Sequence, residues 1–342
     1  MLGSAYVKIL VIRFSSIGDV LQCLSVAGAL LQKYPQAEIH WVTRSDLEEV
    51  VRLQIRIQKV FSISSKSSFA QIKELAARLR QENYTHIYDA HNNLRSHIIC
   101  WLLRGPFGIW GRSYFIRRHI PRFKRFLLFR FRKRYFEMPF SGQRDLLDPL
   151  KPWGISRIPP AAPQIEIPSV VCEKVHAMLP SKPFIAFAAS AAYALKRWPL
   201  DSWKQLRAQL ESYPIVLLGG PKDEFLDEIK RQAPEQVINL VGKLSLVESA
   251  AVVKASICLV ANDTGVLHMG EQLGVPTVAL MGPAPFGFPC RPKTRILELD
   301  LWCRPCSKHG QGPCINSEYQ KCLRDISSNQ VALAVKEITN SI

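Results

Sequence analysis

Residues 256–268 read SICLVANDTGVLH, and this stretch decides the fold that we expect. The apolar run at 256–261 is typical of a strand that is buried on both faces of a parallel sheet. The apolar spacing over 266–273, which stops at Gly274 and Pro276, is typical of a helix. The sequence therefore predicts a strand, a tight turn and the beginning of a helix.

The turn in this stretch has the features of an anion site. If Asn262 or Asp263 caps the helix, the free N–H groups near Thr264 and Gly265 face a ligand, with the positive end of the helix dipole behind them. His268 lies one helical turn after Thr264 and can point at the same ligand. We therefore expect a phosphate here; the alternative is an ordinary capped helix with a surface histidine.

Strand and helix patterns alternate in two series along the chain. At 342 residues it is long enough for two domains with full cores, and this alternation predicts parallel, doubly wound α/β sheets. Predicted strands lie at 8–14, 38–43, 60–63, 85–90, 108–111, 184–189, 215–219, 256–261 and 277–281, and predicted helices at 19–34, 70–82, 94–103, 200–212, 223–232 and 266–273. The proline-rich segment 158–163 marks a linker. We expect an N-terminal domain over 1–163, a C-terminal domain over 164–326, a last helix over 327–342, and a ligand cleft between the two domains.

The composition excludes several classes of protein. An apolar fraction of 47% predicts a globular chain rather than a disordered one. No apolar run reaches the roughly 20 residues that span a bilayer, and residues 1–8 lack the pattern of an export signal. We therefore expect a cytoplasmic protein whose nine cysteines are reduced.

The net charge of +17 is concentrated in residues 112–135, which we expect to be an insertion in the N-terminal domain. From 112 to 134 there are ten Lys or Arg residues and no acid, with aromatic side chains interleaved. An anionic lipid layer or head group fits this composition best, nucleic acid is the second alternative, and a long loop folded over its own domain is the third. The residues that we expect to contact an anionic acceptor or a membrane are Arg117, Arg118, Arg122, Lys124 and Arg125.

Polar residues follow the first predicted strand, at the end of the sheet where open α/β folds bind ligands. Gly18 allows a tight turn, and Asp19 opens the following helix. As a catalyst, Asp19 would take a proton from an incoming hydroxyl; the alternative is a carboxylate that only stabilises the helix N-terminus. A helix N-terminus lowers the pKa of a carboxyl, which keeps the group ionised but makes it a weaker base.

The loop at 189–199 follows a strand of the second series and combines small residues with two cations. Small residues from Ser190 onward allow a ligand to approach the backbone closely. Lys196 and Arg197 offer the positive charge that a leaving diphosphate needs where no metal supplies it. Two solvated surface charges are the alternative.

The loop at 219–224 follows the next strand of that series. Gly219 begins the turn, and Asp223 or Glu224 can accept hydrogen bonds from ribose hydroxyls. A helix-capping acid is the alternative for either carboxylate. Asp263, in the turn after 256–261, would repel a phosphate, so we expect it to cap its helix or to bind a sugar hydroxyl.

Four of the nine cysteines lie within twenty residues. They are Cys303, Cys306, Cys314 and Cys322. Thiols at this density in a reducing compartment predict a structural metal site, with tetrahedral zinc or iron as the ion. Four free thiols are the alternative.

Taken in order, four segments of the chain resemble the bacterial ADP-heptose:lipopolysaccharide heptosyltransferases, glycosyltransferase family 9. They are residues 8–20, 196–199, 218–220 and 262–268. The segment 303–310 is similar to one found in part of that family, and the resemblance covers nearly the whole of residues 8–326. It implies a GT-B fold, in which two Rossmann-like domains face a cleft and the last helix crosses back to the first domain.

The resemblance also implies inverting, metal-independent transfer of heptose from ADP-heptose to an acceptor in the inner core of lipopolysaccharide. By position, it implies Asp19 as the general base and Lys196 as the residue that steadies the leaving diphosphate. The residues implied to hold the donor are Thr264, Gly265 and His268 at the phosphates and Asp263 at the heptose.

We therefore predict a glycosyltransferase that needs no cofactor for catalysis and acts at the inner face of the cytoplasmic membrane. Its expected partners are an ADP-sugar donor and an anionic lipid-linked saccharide, and nucleic acid is not expected. One loop departs from the family, since Ala191, Ala192, Ala194 and Leu195 stand where members often carry Thr or Ser before the lysine. That departure keeps two alternatives open: a transferase for another nucleotide sugar, and a catalytically lapsed relative that binds membranes or nucleic acid.

Overall fold

The computed structural model describes residues 6–105, 113–133 and 135–340. Its strands are β1 (Lys8–Ile12), β2 (Glu38–Arg44), β3 (Lys59–Ile63), β4 (His86–Asp89), β5 (Tyr114–Arg117), β6 (Phe140–Ser141), β7 (Ile185–Ala188), β8 (Ile215–Leu218), β9 (Val237–Asn239), β10 (Cys258–Asn262), β11 (Thr277–Leu280), β12 (Phe286–Phe288) and β13 (Thr294–Leu297). Its helices are α1 (Ile17–Lys33), α2 (Glu48–Arg52), α3 (Phe69–Arg80), α4 (Leu94–Arg104), α5 (Arg122–Phe131), α6 (Gly142–Leu147), α7 (Ser169–His176), α8 (Leu200–Gln209), α9 (Asp227–Gln232), α10 (Leu246–Ala255), α11 (Gly265–Leu273), α12 (Lys321–Arg324) and α13 (Ser328–Thr339).

The chain divides into two compact units. Unit 1 is made of Met1–Pro121 and Gly142–Glu166, and unit 2 of Arg122–Ser141 and Ile167–Ile342. All of 112–135 is expected from the sequence in the N-terminal domain, whereas the part from Arg122 onward belongs to unit 2. Aromatic packing is the reason, because the ring centroids of Phe129 and Phe140 lie 6.1 and 4.9 Å from that of Phe286.

Unit 1 contains a sheet of five parallel strands in the order β3-β2-β1-β4-β5. β1 is central, and its residues 9–12 are fully buried, as expected for a strand that is covered on both faces. The order sets the carboxyl ends of β1 and β4 side by side, with Ile12 opposite Asp89. The polar residues that follow these two strands are therefore neighbours.

The beginning of α1 is fixed by a contact within its own first turn. The Ser16 N–H donates to the Asp19 carboxylate at 3.1 Å, which satisfies one of the N–H groups that a helix N-terminus leaves without a partner. Residues 20–30 are buried almost continuously, and α1 packs against α6. The burial holds Asp19 in place at the exposed end of the helix.

Unit 2 contains a sheet of six parallel strands in the order β13-β11-β10-β7-β8-β9. β10 and β7 are neighbours near its centre, with Ala261 opposite Ala188, so Asn262 ends its strand beside the loop that begins at Ala189. The resemblance implies that the last helix crosses back to the first domain. In the structure this helix is α13, and it packs against α8, β10 and β11 of unit 2.

Most of the predicted elements are present. The strands predicted in the apolar runs occur as β1 to β4, β7, β8, β10 and β11, with ends that differ by at most two residues. The strand predicted at 108–111 lies outside the described residues. The strands β5, β9 and β13 and the pair β6 and β12 are absent from the prediction, because they are two to four residues long and lack a continuous apolar run. Within the described residues, no helix is both long and apolar enough to cross a bilayer.

Candidate active site

Asp19 lies in the first turn of α1 and forms an ion pair with Arg13, whose Nη2 is 2.9 Å from Oδ2. The Ser16 hydroxyl donates to the same oxygen at 2.9 Å. Burial alone would raise the pKa of this carboxyl, but the charges of Arg13 and Arg118 and the hydrogen bonds from Ser16 hold it well below its usual range. The side chain is still 44% exposed. Asp19 is therefore both ionised and accessible, as a catalytic base must be.

Two of the arginines that are predicted to contact an acceptor or a membrane, Arg117 and Arg118, form ion pairs with aspartates of unit 1. Arg117 donates through Nε to the fully buried Asp89 at 2.7 Å. Arg118 donates through Nε to Asp145 at 2.7 Å, and it is itself nearly buried. Arg118 acts on the site through its charge near Asp19. Both predicted contacts thus already pair with a carboxylate of unit 1.

His91 is a site residue that the sequence analysis missed. It follows β4, in the loop that Arg13 holds by donating to the Ala90 carbonyl at 2.8 Å. Its ring meets that of Phe14 edge-on at 5.1 Å. Burial, and then the charge of Arg13, lowers the pKa of His91 to about 4, so the imidazole is neutral at pH 7. Its Nδ1 is buried and has no hydrogen-bond partner in the described part of the chain.

In unit 2, the predicted diphosphate ligand Lys196 meets Asp263. The lysine Nζ lies 2.6 Å from Oδ2 and also donates to the Asp263 carbonyl at 3.3 Å. Both side chains are largely withdrawn from solvent. The two loops meet because β7 and β10 are neighbours in the sheet.

The predicted caps of α11 are wrong. Thr264 is the N-cap residue, and its side chain makes no capping hydrogen bond within the described residues. Asn262 instead uses its amide across the sheet, donating to the Ala189 carbonyl at 2.8 Å and accepting from the Trp198 N–H at 3.1 Å. Asp263 is held in its ion pair. The Thr264 hydroxyl is buried without a partner in the described ranges, and it lies with the first N–H groups of α11 where an anion can bind.

His268 is buried, so the alternative of a surface histidine is wrong. Its Nδ1 lies 3.5 Å from the carboxylate of Glu271, which is also buried. Glu271 accepts from the N–H groups of Cys290 and Arg291 at 2.7 and 3.0 Å. A carboxylate fixed in this way orients the imidazole beside it. Glu271 has no signal in the sequence, because an acid in that position looks like any surface residue of a helix.

The other predicted donor residues lie in the loops after β7 and β8. Arg197 donates to the Ala191 carbonyl at 2.8 Å, and its guanidinium lies 4.9 Å from the ring centre of Phe225. Asp223 accepts from the Gly220 N–H at 2.7 Å and so closes its own turn. The remaining predicted residues are at least partly exposed: Gly18, Ser190, Gly219, Glu224 and Gly265.

The cysteine-rich segment 303–322 packs against the loop that carries Lys196. Gln320 donates to the Ala194 carbonyl at 2.6 Å. Gly310 has a φ of +83°, and a Cβ at this position would lie 2.8 Å from the Lys196 Cγ. The segment therefore lies against the side chain of Lys196 and against the loop that carries it.

The four cysteines of this segment are free thiols that share one neighbourhood. Burial, and then the neighbouring Cys303 and Cys314, raises the pKa of the Cys306 thiol. The Asn316 amide donates to the sulfur of Cys303 at 3.3 Å, and the Gln320 N–H donates to that of Cys314 at 3.4 Å. Four sulfurs, two of which receive N–H groups, are a donor set that fits a thiolate metal site.

Within the described residues, no three of these four sulfurs all lie within 4.8 Å of one another. Among the described residues, the one group of three or more ligand side chains whose atoms all lie within 4.8 Å is Glu38, His40 and Glu82. Lys8 already supplies a cation there, since its Nζ lies 3.4 Å from Glu38 and 2.6 Å from Glu82. That group is therefore a charge network at the beginning of β1 and β2.

Residues 72–314 match the family model described as glycosyltransferase family 9 (heptosyltransferase). The chain belongs to glycosyltransferase family 9. It is 25% identical over 317 residues to lipopolysaccharide heptosyltransferase 2 of Escherichia coli K12, and the match covers 85% of the chain and 88% of the relative. The family-9 resemblance found in the sequence and the assignment as a glycosyltransferase are confirmed.

Two solved structures share the fold of this family-9 chain. A family 9 glycosyl transferase from Veillonella parvula has a TM-score of 0.80 at 22% identity and covers 98% of both chains. The Escherichia coli ADP-heptose lipopolysaccharide heptosyltransferase II has a TM-score of 0.70 at 22% identity and covers 98% of this chain and 99% of its own. The likeness confirms the predicted GT-B fold class with two Rossmann-like sheets.

Proposed function

We propose that this family-9 enzyme moves heptose from ADP-heptose to an acceptor in the inner core of lipopolysaccharide, with inversion at the anomeric carbon. The observation that carries the proposal is the accessible, ionised carboxylate of Asp19, held between Arg13 and Ser16. Similar proteins are named for lipopolysaccharide and for ADP-heptose, which supports these two substrates.

Asp19 acts as the base of a single displacement. Its carboxylate accepts the proton of an acceptor hydroxyl while the hydroxyl oxygen bonds to the anomeric carbon of the heptose. The bond from that carbon to the diphosphate oxygen breaks, and ADP leaves with the bonding electron pair. Because a carboxylate of low pKa is a weak base, the proton moves late, as the new carbon–oxygen bond forms.

Unit 2 supplies the positive charge for the leaving diphosphate. Lys196 and Arg197 are its cations, and the first N–H groups of α11 with the Thr264 hydroxyl are its neutral donors. His268, oriented by Glu271, contacts the same phosphates. With this charge supplied by the chain, the step requires no metal ion.

The remaining donor contacts follow from the loops. Asp263 binds a heptose hydroxyl, and its pairing with Lys196 couples the sugar contact to the diphosphate contact. Glu224 accepts from the ribose, since Asp223 is occupied by the Gly220 N–H. Further donor contacts are assigned to Gly18, Ser190, Gly219 and Gly265.

The acceptor of the proposed reaction is an anionic, lipid-linked saccharide, so the enzyme works as a peripheral protein at the inner face of the cytoplasmic membrane. Arg122 and Lys124 are exposed and make no ion pair within the described residues. They are the predicted contacts best placed for such a partner. Arg125 is engaged with the ring of Phe286 at 4.5 Å.

Cys303, Cys306, Cys314 and Cys322 hold a structural zinc or iron ion in this proposal. Such an ion cross-links the segment and leaves the transfer step to the chain's own residues. Metal analysis of the purified full chain tests this, with Cys306→Ser expected to lose the ion and Cys172→Ser, outside the segment, expected to keep it. A wild-type protein without stoichiometric zinc or iron would contradict the metal site and indicate four free thiols.

Asp19→Asn tests the transfer. We expect the rate of ADP release with ADP-heptose and a lipopolysaccharide core acceptor to fall by roughly 10²–10⁴-fold, with ADP affinity unchanged by calorimetry. Asp46→Asn, which removes another aspartate paired with an arginine in unit 1, is the matched control and should keep the rate. An unchanged rate of ADP release in Asp19→Asn would show that Asp19 is not the catalytic base.

Two outcomes would favour the alternatives. Thermal stabilisation by UDP or GDP in preference to ADP would indicate another nucleotide sugar. A wild-type chain that binds ADP but releases none from ADP-heptose in the presence of several core acceptors would indicate a lapsed transferase.

A further inference from the structure

We propose that α5 is an interfacial membrane helix, which lies in the head-group layer of an anionic bilayer with Phe123, Phe126 and Phe131 inserted. The inference deepens the proposed function, since a lipid-linked acceptor brings the enzyme to such a surface. Its physical basis is nevertheless separate, because it rests on the exposed face of one helix of unit 2.

The face of α5 that points away from unit 2 is aromatic. Phe123, Phe126 and Phe131 are 72%, 56% and 54% exposed. The ring centroids of Phe126 and Phe131 lie 6.1 Å apart, and Phe123 lies on the same face of the helix by the helical period. The opposite face carries Leu128, which is 1% exposed. The helix therefore directs apolar rings outward as well as inward, an arrangement that water does not favour and a lipid layer does.

The inner face of α5 and the strand after it fix the helix firmly to unit 2. Phe129 and Phe136 surround the ring of Phe286 at 6.1 and 5.4 Å, and Arg125 lies over the same ring at 4.5 Å. β6 then pairs with β12 in parallel. The exposed rings are therefore presented by a held helix rather than by a mobile loop.

The charge around the exposed aromatic face matches an anionic surface. From 90 to 136 the sequence contains no acidic residue. By the helical period, Arg122 and Lys124 lie on either side of the aromatic face. Neither they nor Arg130 and Lys133 form an ion pair in the part of the chain that the structure describes. These cations are therefore available to lipid phosphates, and Arg130 can extend past the rings to reach them.

A lipid surface fits this arrangement better than a nucleic acid does. Proteins that bind single strands without sequence preference combine stacked aromatics with a basic groove that follows the backbone. In α5 the aromatic rings occupy the outer face of a single helix and the cations border it. That is the pattern of an amphipathic helix at an interface, with rings in the acyl boundary and charges among the head groups.

Sedimentation of the full chain with lipid vesicles, in the absence of any saccharide acceptor, tests the proposal. We expect binding to vesicles that contain phosphatidylglycerol, weakening with salt, and little binding to pure phosphatidylcholine. A triple variant should lose at least about tenfold in the vesicle partition coefficient, because three rings that insert into the lipid are removed. Its substitutions are Phe123→Ser, Phe126→Ser and Phe131→Ser. A control triple variant of exposed apolar residues elsewhere should bind like the wild type: Ile158→Ser, Val170→Ser and Leu333→Ser.

A second pair of variants tests the charges. Arg122→Glu with Lys124→Glu should abolish the preference for phosphatidylglycerol, whereas Lys66→Glu with Lys73→Glu, the same charge change on exposed lysines of unit 1, should preserve it. Equal vesicle binding by the wild type and the triple-serine variant would overturn the proposal. Tighter binding of the wild type to single-stranded nucleic acid than to anionic vesicles, lost in the serine variant, would overturn it in favour of a nucleic-acid surface.

Transfer to a soluble, delipidated core acceptor separates this inference from the proposed function. The triple-serine variant should keep that activity while losing vesicle binding. If the wild type binds anionic vesicles through α5 but transfers no heptose, the proposed function fails and the membrane helix stands.

Discussion

Lys196 and Asp263 lie 2.6 Å apart, Nζ to Oδ2, at the carboxyl ends of neighbouring strands of unit 2. The pair joins two proposed tasks, because the lysine serves the diphosphate and the aspartate serves the sugar. Both side chains are largely withdrawn from solvent, so removal of one leaves the charge of the other uncompensated. The two residues should therefore affect nucleotide binding in opposite directions.

Lys196→Met should weaken ADP binding by roughly tenfold to a hundredfold, because the diphosphate loses a cation and meets the unpaired Asp263 carboxylate instead. Asp263→Asn should tighten ADP binding, since Lys196 is released toward the diphosphate, and should lower the transfer rate through the weaker sugar contact. Calorimetric titration with ADP, together with kcat, measures both effects.

The exposed Lys182, replaced by Met, is the control for the loss of a lysine charge in unit 2 and should bind ADP normally. Equal weakening of ADP binding in Lys196→Met and Asp263→Asn would mean that the pair only holds the two loops together.

Arg13→Gln should make transfer sensitive to acid. The Arg13 charge lowers the pKa of Asp19, so its removal raises that pKa toward the usual carboxyl range. The base is then protonated at a higher pH than in the wild type, and kcat of the variant should decline below about pH 5, as it approaches the usual carboxyl range, where the wild type stays level. Near pH 8 the two rates should converge, which a pH profile of kcat will show.

Arg13 also donates to the Ala90 carbonyl, and the shorter glutamine does not reach as far as the Arg13 Nη1 that makes this contact with the loop after β4. The thermal midpoint of the variant checks that the fold is kept. A folded variant whose acid limb coincides with that of the wild type would mean that Asp19 does not titrate in the rate-limiting step.

The sequence predicts those parts of the molecule that depend on local pattern. The run 256–261 contains no charged residue and, after Ser256, only apolar ones, so it indicates a strand buried on both faces, and Gly274 marks the end of α11. Lys196 and Thr264 could be placed near each other because parallel neighbouring strands bring their following loops to one edge. The same reasoning places Asp19 at the end of β1.

The sequence does not predict features that depend on partners far along the chain. Asn262 looks like a helix cap, but its amide satisfies the backbone of the neighbouring strand. His91 enters the site only because β4 lies beside β1, and Arg13 contacts its loop at Ala90, 77 positions further along the chain. In α5, apolar residues occur on both the inner and the outer face, so periodicity alone cannot say which side is buried.

His91 should make the protein less stable as pH falls. Its pKa in the folded state, about 4, is below the usual value near 6.5, so the unfolded chain binds the proton first. The free energy of unfolding therefore falls as pH drops through this window, by at most about 1.4 kcal/mol per pH unit from this group. His91→Gln, which cannot take up the proton, should show a smaller slope in urea unfolding measured across the window.

The exposed His119, replaced by Gln, is the control and should keep the slope of the wild type. Identical slopes for all three proteins would mean that His91 is protonated equally in the folded and unfolded chains, contrary to the burial of its ring.

Gly310→Ala should weaken ADP binding through Lys196. Both Gly310 and Gly312 have a left-handed backbone, with φ of +83° and +85°, so alanine at either position costs about 1 kcal/mol of folding free energy. The two sites differ in what the new Cβ meets: at Gly310 it would lie 2.8 Å from the Lys196 Cγ, and at Gly312 it has nothing within 4 Å. Gly312→Ala is therefore a matched control that should lower the thermal midpoint and keep ADP affinity, whereas Gly310→Ala should lower both. If the two variants bind ADP equally well, the cysteine-rich segment does not position Lys196.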